Sequence, residues 1–355
     1  MGKVAVIPFY PAQMNNLFFS PEKMKLRDNI LMPFMAIKEK FEKSGYVVGT
    51  ADIVTVEDAD VVIFFDLNLK YIIKSYFNNK LSKSIYISFE PPVVYQLHQP
   101  TLLKKMSRIF NKMLTWQDDL VDNQRIFKFF FPMPPQTHVS ETVPFNQKKL
   151  LTTIIGYKIS NQKNELYSKR IEAIRFFEKN DPSFEFFGAG WKQNEFKSYK
   201  GKINNKYDTL KNYKFALSYE NEGQINGLVS EKIFDCFYAR TIPVFWGAEN
   251  VSDFFPPETF IDKREFKTYQ DLHSFLINMS EEEYSRRLMT IEHYLKSENF
   301  RKHSVEYFAE TVFSAAMNPA ENPIKLHYVM IIALYKVKQK YINAIKRAKL
   351  ALGRY

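Results

Sequence analysis

The sequence predicts an α/β protein built from two Rossmann-like halves. Three observations carry this. Short apolar runs such as KVAVIPFY and KLLTTIIGY alternate with segments of helical period, the pattern of a parallel sheet covered on both faces. The alternation breaks at a polar, Pro-containing stretch, PPQTHVSETVPFNQ (134–147), and then starts again. A hydrophobic content of 45% over 355 residues is enough for two full cores. We expect halves at 1–145 and 146–320 that face one another across a central cleft, and a separate tail at 321–355. Ligands of such folds bind outside the carboxyl ends of the strands.

The first half opens with KVAVIPFY as a buried strand. Residues 28–44 have a helical apolar period, with Pro33 as an interruption or an early-turn residue. VVGTADI and ADVVIFFDL follow as strands, then a helix over about 68–78. SIYISFEPP is a strand stopped by its double proline, and IFKFFFPMPP reads as another. In the second half, KLLTTIIGY, FEFFGAG, FALSYEN and TIPVFWG read as strands. NELYSKRIEAIRFFEK is a helix, and a shorter helix runs from near Val229 to Arg240. TYQDLHSFLINM, SEEEYSRRLMTIEHYLKS and FRKHSVEYFAETVFSAAM close the half as helices.

The formal charge is +11, but eight Lys or Arg and no acidic residue lie between Pro323 and Tyr355. The charge therefore belongs mainly to the tail. The rest carries no nucleic-acid module, which argues against a non-catalytic nucleic-acid-binding protein. Cys236 is the sole cysteine, so no disulfide forms within the chain. MGKVAVIPFYPAQ lacks the apolar stretch of a signal peptide, and no run approaches the ~18 apolar residues of a membrane span. The expected location is the cytoplasm.

No G-x-G-x-x-G or P-loop is present, and six scattered histidines give no metal spacing. Asp58-Ala59-Asp60 matches a metal-holding D-x-D, but Asp60 simply leads into a strand. His98 and His293 read as surface polar or satisfied core groups. Glu90 ends a buried strand and is followed by Pro91 and Pro92; it is either a displayed carboxylate or a turn residue. FALSYENEGQINGLVSEK groups Glu220, Asn221, Glu231 and Lys232 around one strand-to-helix turn. A lysine in a helix's first turn opposes the helix dipole, which suggests an anion in front of it. Arg170, early in the helix after KLLTTIIGY, adds a second cation; it is otherwise a solvated face.

These residues carry a resemblance. YKFALSYEN followed by VSEKIFDCFYARTIPVFWGAENVSDFFPPETFID resembles the α-1,3-fucosyltransferases of glycosyltransferase family ten, bacterial type. The likeness is dense over about 213–266, looser over NELYSKR and FFGAGW, and thins to SFEPP and LTWQDD before residue 150. Arg240 stands where a glycine or small residue is usual, and Leu228 where a tyrosine is often found.

The resemblance implies a GT-B architecture with an N-terminal acceptor domain and a C-terminal donor domain. It implies GDP-fucose as donor, a glycan or lipid-linked oligosaccharide as acceptor, inversion at the anomeric carbon, and a part in surface polysaccharide synthesis. Lys232 and Arg170 would hold the diphosphate, Glu231 the ribose hydroxyls, and Asn221 would line the donor pocket beside Glu220. Glu90 would be the catalytic base. With two cations at the phosphates, neither metal nor other cofactor is expected. An alternative keeps the fold and changes the donor to another GDP-6-deoxyhexose or nucleotide sugar.

In the tail, Leu334, Val337, Tyr341, Ile345, Ala348 and Leu352 step by three or four residues, while Lys336, Lys340, Arg347 and Arg354 lie on another face. Such a basic amphipathic helix is expected to lie on the inner face of an anionic membrane; otherwise it docks on the protein's own body.

Overall fold

The computed structural model describes residues 1–24, 29–135, 142–320, 325, 327–331 and 333–337. The chain divides into two compact units. The first takes Met1–Trp116, Leu120–Phe129 and the described residues from Phe308 on; the second takes Gln117–Asp119 and Phe130–Tyr307. The sequence placed the changes at 145/146 and 320/321 instead. Packing explains the earlier changes. Phe129 stacks on Phe89 at 5.3 Å, whereas Phe130 meets His303 at 5.3 Å. Phe308 packs on Phe89 and Phe129, and Phe313 on Phe41, so the last long helix ends against the first core.

The first unit runs β1 (Gly2–Ile7), α1 (Pro21–Met24), α2 (Met32–Lys43), β2 (Tyr46–Thr50), β3 (Val61–Phe64), α3 (Leu69–Phe77), β4 (Ser84–Ser88), α4 (Pro100–Met106), β5 (Lys112–Thr115) and β6 (Ile126–Lys128). All strand pairs are parallel, in the order β2-β1-β3-β4-β5-β6. Val4–Ile7 and Val61–Phe64 are buried without alternation, as strands covered on both faces must be. Pro33 sits in the first turn of α2, where its missing N–H costs nothing, and Phe34, Ile37 and Phe41 follow on the buried face.

The second unit runs β7 (Lys149–Ile154), α5 (Tyr167–Asn180), β8 (Glu185–Phe187), α6 (Lys206–Leu210), β9 (Tyr213–Tyr219), α7 (Glu231–Tyr238), β10 (Ile242–Trp246), β11 (Ile261–Asp262), α8 (Tyr269–Asn278), α9 (Glu281–Leu295), α10 (Glu298–Arg301) and α11 (Val305–Met317), the last crossing back into the first unit. Its parallel sheet has the order β11-β10-β9-β7-β8. The chain leaves β7 towards β8 and then returns to the other side at β9. The β7–β9 boundary is thus the topological switch point, where an open parallel sheet offers a crevice.

Three sequence expectations are refined. FRKHSVEYFAETVFSAAM is two helices, α10 and α11, rather than one. IFKFFFPMPP keeps strand geometry only over β6, because the chain then passes to the other unit. The glycines of FFGAG lie beyond β8, and Gly188 has φ +144°. A Cβ there would stand 1.8 Å from the Ile155 carbonyl oxygen, so only glycine lets the two strand ends close.

The described part of the tail is helical over 327–331 and 333–337. Tyr328, Val329 and Tyr335 pack against the first unit's core. Lys336, expected on the basic, membrane-facing side of the tail helix, is half-buried and donates to the Leu67 carbonyl. Leu334 and Val337 are exposed, together with Met330. Tyr341, Ile345, Ala348, Leu352, Lys340, Arg347 and Arg354 lie outside the described residues.

Candidate functional site

The second unit holds a cavity of about 240 Å³ at its switch point. The ends of β7 and β9 form one wall through Ile154, Ile155, Gly156 and Ala216–Ser218. α7 supplies Glu231, Lys232, Asp235 and Cys236; α5 supplies Arg170; Asn221 follows β9. Four of the six residues named from the sequence, Arg170, Asn221, Glu231 and Lys232, therefore line one cavity.

Glu220 does not line it; it organises it. Its side chain is 1% exposed. Its carboxylate accepts from the Ser230 amide (2.8 Å), the Ser230 hydroxyl (2.7 Å) and Lys232 Nζ (3.0 Å). Ser230 stands at the N-cap of α7 yet spends its hydroxyl on Glu220 rather than on the helix amides. Lys232 also donates to Ser230 Oγ at 2.7 Å and Glu231 Oε1 at 3.3 Å. The lysine in the first turn of α7 thus has a local cause: two carboxylates of the chain balance it against the helix dipole. Gly247 completes the arrangement, because a Cβ there would meet Glu220 Cγ at 2.6 Å. The motifs SYE, SEK and PVFWG are three walls around one buried carboxylate.

Burial alone would raise the Glu231 carboxyl, but Lys232 and Lys206 outweigh it and hold the group at about 2. Burial opposes the charge on Lys232, and Glu220 and Glu231 overcome it, so its pKa lies above the ordinary lysine value. Arg170 is nearly buried and its pKa is lowered by that burial. One of its terminal nitrogens donates to the Tyr219 carbonyl (2.6 Å) and to Asn221 Oδ1 (3.1 Å). Among the described residues its Nε has no hydrogen-bond partner. Burial raises the Cys236 thiol far above its usual value, so it is no nucleophile here.

Sequence reasoning missed Lys158, Lys206 and Asp235, which line the same cavity. Lys206 pairs with Asp235 at 3.0 Å. The spacing of Asp235, one turn after Glu231 on an amphipathic helix, could have revealed it. Arg240, two residues beyond α7, has φ +54°, the left-handed geometry that favours glycine after a helix.

Glu90 belongs to the first unit, two residues beyond β4. The carboxyl ends of that sheet also bring Asp66 and Tyr10 close to it; burial first, then the charges of Glu90 and Asp66, raise the Tyr10 pKa. Asp66 accepts from the Tyr95 hydroxyl at 3.1 Å. Among the described residues no group of three or more His, Cys, Asp or Glu side chains could hold a metal ion.

The fold is one shared with glycosyltransferases of the GT-B class. Residues 146–308 match the family model for glycosyltransferase family 10 (fucosyltransferase), C-terminal part. The chain is 36% identical over 74 residues to alpha-(1,3)-fucosyltransferase FucT of Helicobacter pylori and 33% identical over 73 residues to alpha-(1,4)-fucosyltransferase of Arabidopsis thaliana. Each match covers 21% of this chain and only 15% and 18% of those relatives. Two crystal structures of alpha1,3-fucosyltransferase, the second with GDP-fucose, share the fold at TM-scores of 0.57 and 0.55. Their identities are 15% and 16%; the matches cover 91% and 90% of this chain and 93% and 91% of theirs. No described helix is long and apolar enough to cross a membrane.

Proposed function

We propose that this chain transfers L-fucose from GDP-fucose to a glycan hydroxyl, with inversion and an α-1,3-type linkage, in bacterial surface polysaccharide synthesis. The observation that carries the reading is the convergence of Arg170, Lys232, Glu231 and Asn221 on one cavity within the family-matched segment. Lys232 and Arg170 hold the diphosphate; Arg170 Nε, without a partner among the described residues, is a buried donor that a phosphate oxygen would satisfy. Glu231 takes the ribose hydroxyls, and its low pKa keeps it an acceptor.

The acceptor oxygen bonds to the anomeric carbon as the bond to the β-phosphate breaks, so a β-linked donor gives an α-linked product. Charge grows on the departing GDP, and fixed cations stabilise it more in the transition state than in the ground state. Glu90 takes the acceptor proton. The two cations supply what a divalent metal would, so activity should survive EDTA; full, metal-reversible inhibition overturns that part.

A panel of nucleotide sugars offered to the purified protein tests the donor. Leu228, where the family often has tyrosine, keeps a related GDP-6-deoxyhexose in the panel. Turnover with GDP-fucose alone supports the reading, and preference for another donor replaces it. Exposed Met330, Leu334 and Val337, spaced four and three apart, support a membrane-facing tail. Salt-reversible sedimentation with anionic vesicles is expected for the full chain. A chain ending at Pro323 that sediments equally contradicts it.

A further inference from the structure

The segment around Glu90 has an unusual way of being fixed. β4 ends at Ser88, so Phe89 and Glu90 lie beyond its ladder. Pro91 and Pro92 follow and have no N–H to donate. The chain is held here through its carbonyls. Trp116 Nε1 donates to the Phe89 carbonyl at 2.8 Å. His98 Nδ1 lies 2.5 Å from the Glu90 carbonyl, and His98 Nε2 lies 2.6 Å from the Tyr86 hydroxyl. A carbonyl oxygen only accepts, so Nδ1 carries the proton and Nε2 accepts from Tyr86. The imidazole is 2% exposed and packs edge-on against Tyr95 at 4.8 Å. Tyr86 itself is fully buried on β4.

We propose that His98 is a positioning residue for Glu90: seated by the Tyr86 hydroxyl at Nε2, it donates through Nδ1 to the Glu90 carbonyl, pins that backbone and so fixes where the carboxylate is presented. This rests on the reading of Glu90 as the base. Burial pulls the imidazole down to about 4, so it remains a neutral single donor on that side through the physiological range. A small misplacement of a reacting group is expensive, which gives the pin its value.

The test is steady-state kinetics, GDP calorimetry and thermal melting of H98N, H98Q and E90Q. Asn places its amide nitrogen near the Nδ1 position and keeps the bond to the Glu90 carbonyl; Gln reaches instead towards Tyr86. H98Q should lose turnover by roughly ten- to a hundredfold, with GDP affinity unchanged, while H98N recovers most of it. Equal losses in two folded variants, or no loss in H98Q, overturn the proposal. If H98Q does not fold, Y86F replaces it; without the hydroxyl that seats Nε2, turnover should fall severalfold, and unchanged turnover overturns the proposal. E90Q separates the two ideas. A large loss in E90Q beside wild-type turnover in H98Q sinks the pin alone, whereas wild-type turnover in E90Q sinks both base and pin.

Discussion

The two units present their sheet ends by opposite means. At the second, the side chains are fixed by charge: Glu220 gathers Ser230 and Lys232, and Lys206 meets Asp235. At the first, the backbone is fixed by rings: Trp116 and His98 hold two successive carbonyls, and the Phe89 ring lies among Phe9, Phe34, Phe129 and Phe308. The difference suits the proposed tasks. A diphosphate needs concentrated, preorganised cations, and these need buried counter-charges to stay in place. A base must remain an acceptor, so it is better positioned by neutral donors that act on its backbone.

Breaking the ionic side should have the largest effect on stability. Glu220→Ala leaves Lys232 and Ser230 without their buried acceptor; losing one partner of a buried pair costs about 3–5 kcal/mol, which chemical denaturation would measure. A loss below about 1 kcal/mol would show that Lys232 and Ser230 find other partners. Gly247→Ala presses on the same carboxylate from the other side. Overpacking of this kind costs about 1–3 kcal/mol and should lower the melting temperature and GDP affinity together.

A smaller effect sharpens the comparison through a lysine that no carboxylate pairs with among the described residues. Lys148 is buried, its Nζ bonded to the Arg240 carbonyl (2.7 Å) and the Tyr284 hydroxyl (3.0 Å). Burial, then the Arg240 charge, lowers its pKa from the ordinary 10.5 to about 7. Between those values the unfolded chain binds more protons than the folded one, so this residue makes stability rise with pH across that window. Lys148→Met should flatten the slope; an unchanged slope contradicts the assignment.

The cavity of the second unit was far more legible in the sequence than the sheet end of the first. Its chemistry sits in short segments, SYEN and SEK, whose charge clusters are conspicuous in the sequence. What escaped there was short or distant: α6 has only five residues, and Lys206 meets an Asp235 twenty-nine positions away. β5 escaped because KMLT opens with a lysine, which is buried and turned to the Asn318 carbonyl. His98 read as either a surface polar or a satisfied core group, and it is the latter; that it meets the Glu90 carbonyl depends on how the chain turns after the prolines, which no period reveals. Lys336 read as part of a basic, membrane-facing side because period alone does not say which face of a helix meets the body.

If the cavity at the β7–β9 switch point takes the diphosphate of GDP, calorimetric titration of GDP into the wild-type protein and Lys232→Ala will separate the two. A charge-assisted hydrogen bond is worth about 1.5–3 kcal/mol, so Kd should rise by roughly ten- to a hundredfold in the variant. Circular dichroism should show the same fold in both. GDP binding to the folded variant with unchanged affinity would contradict the account.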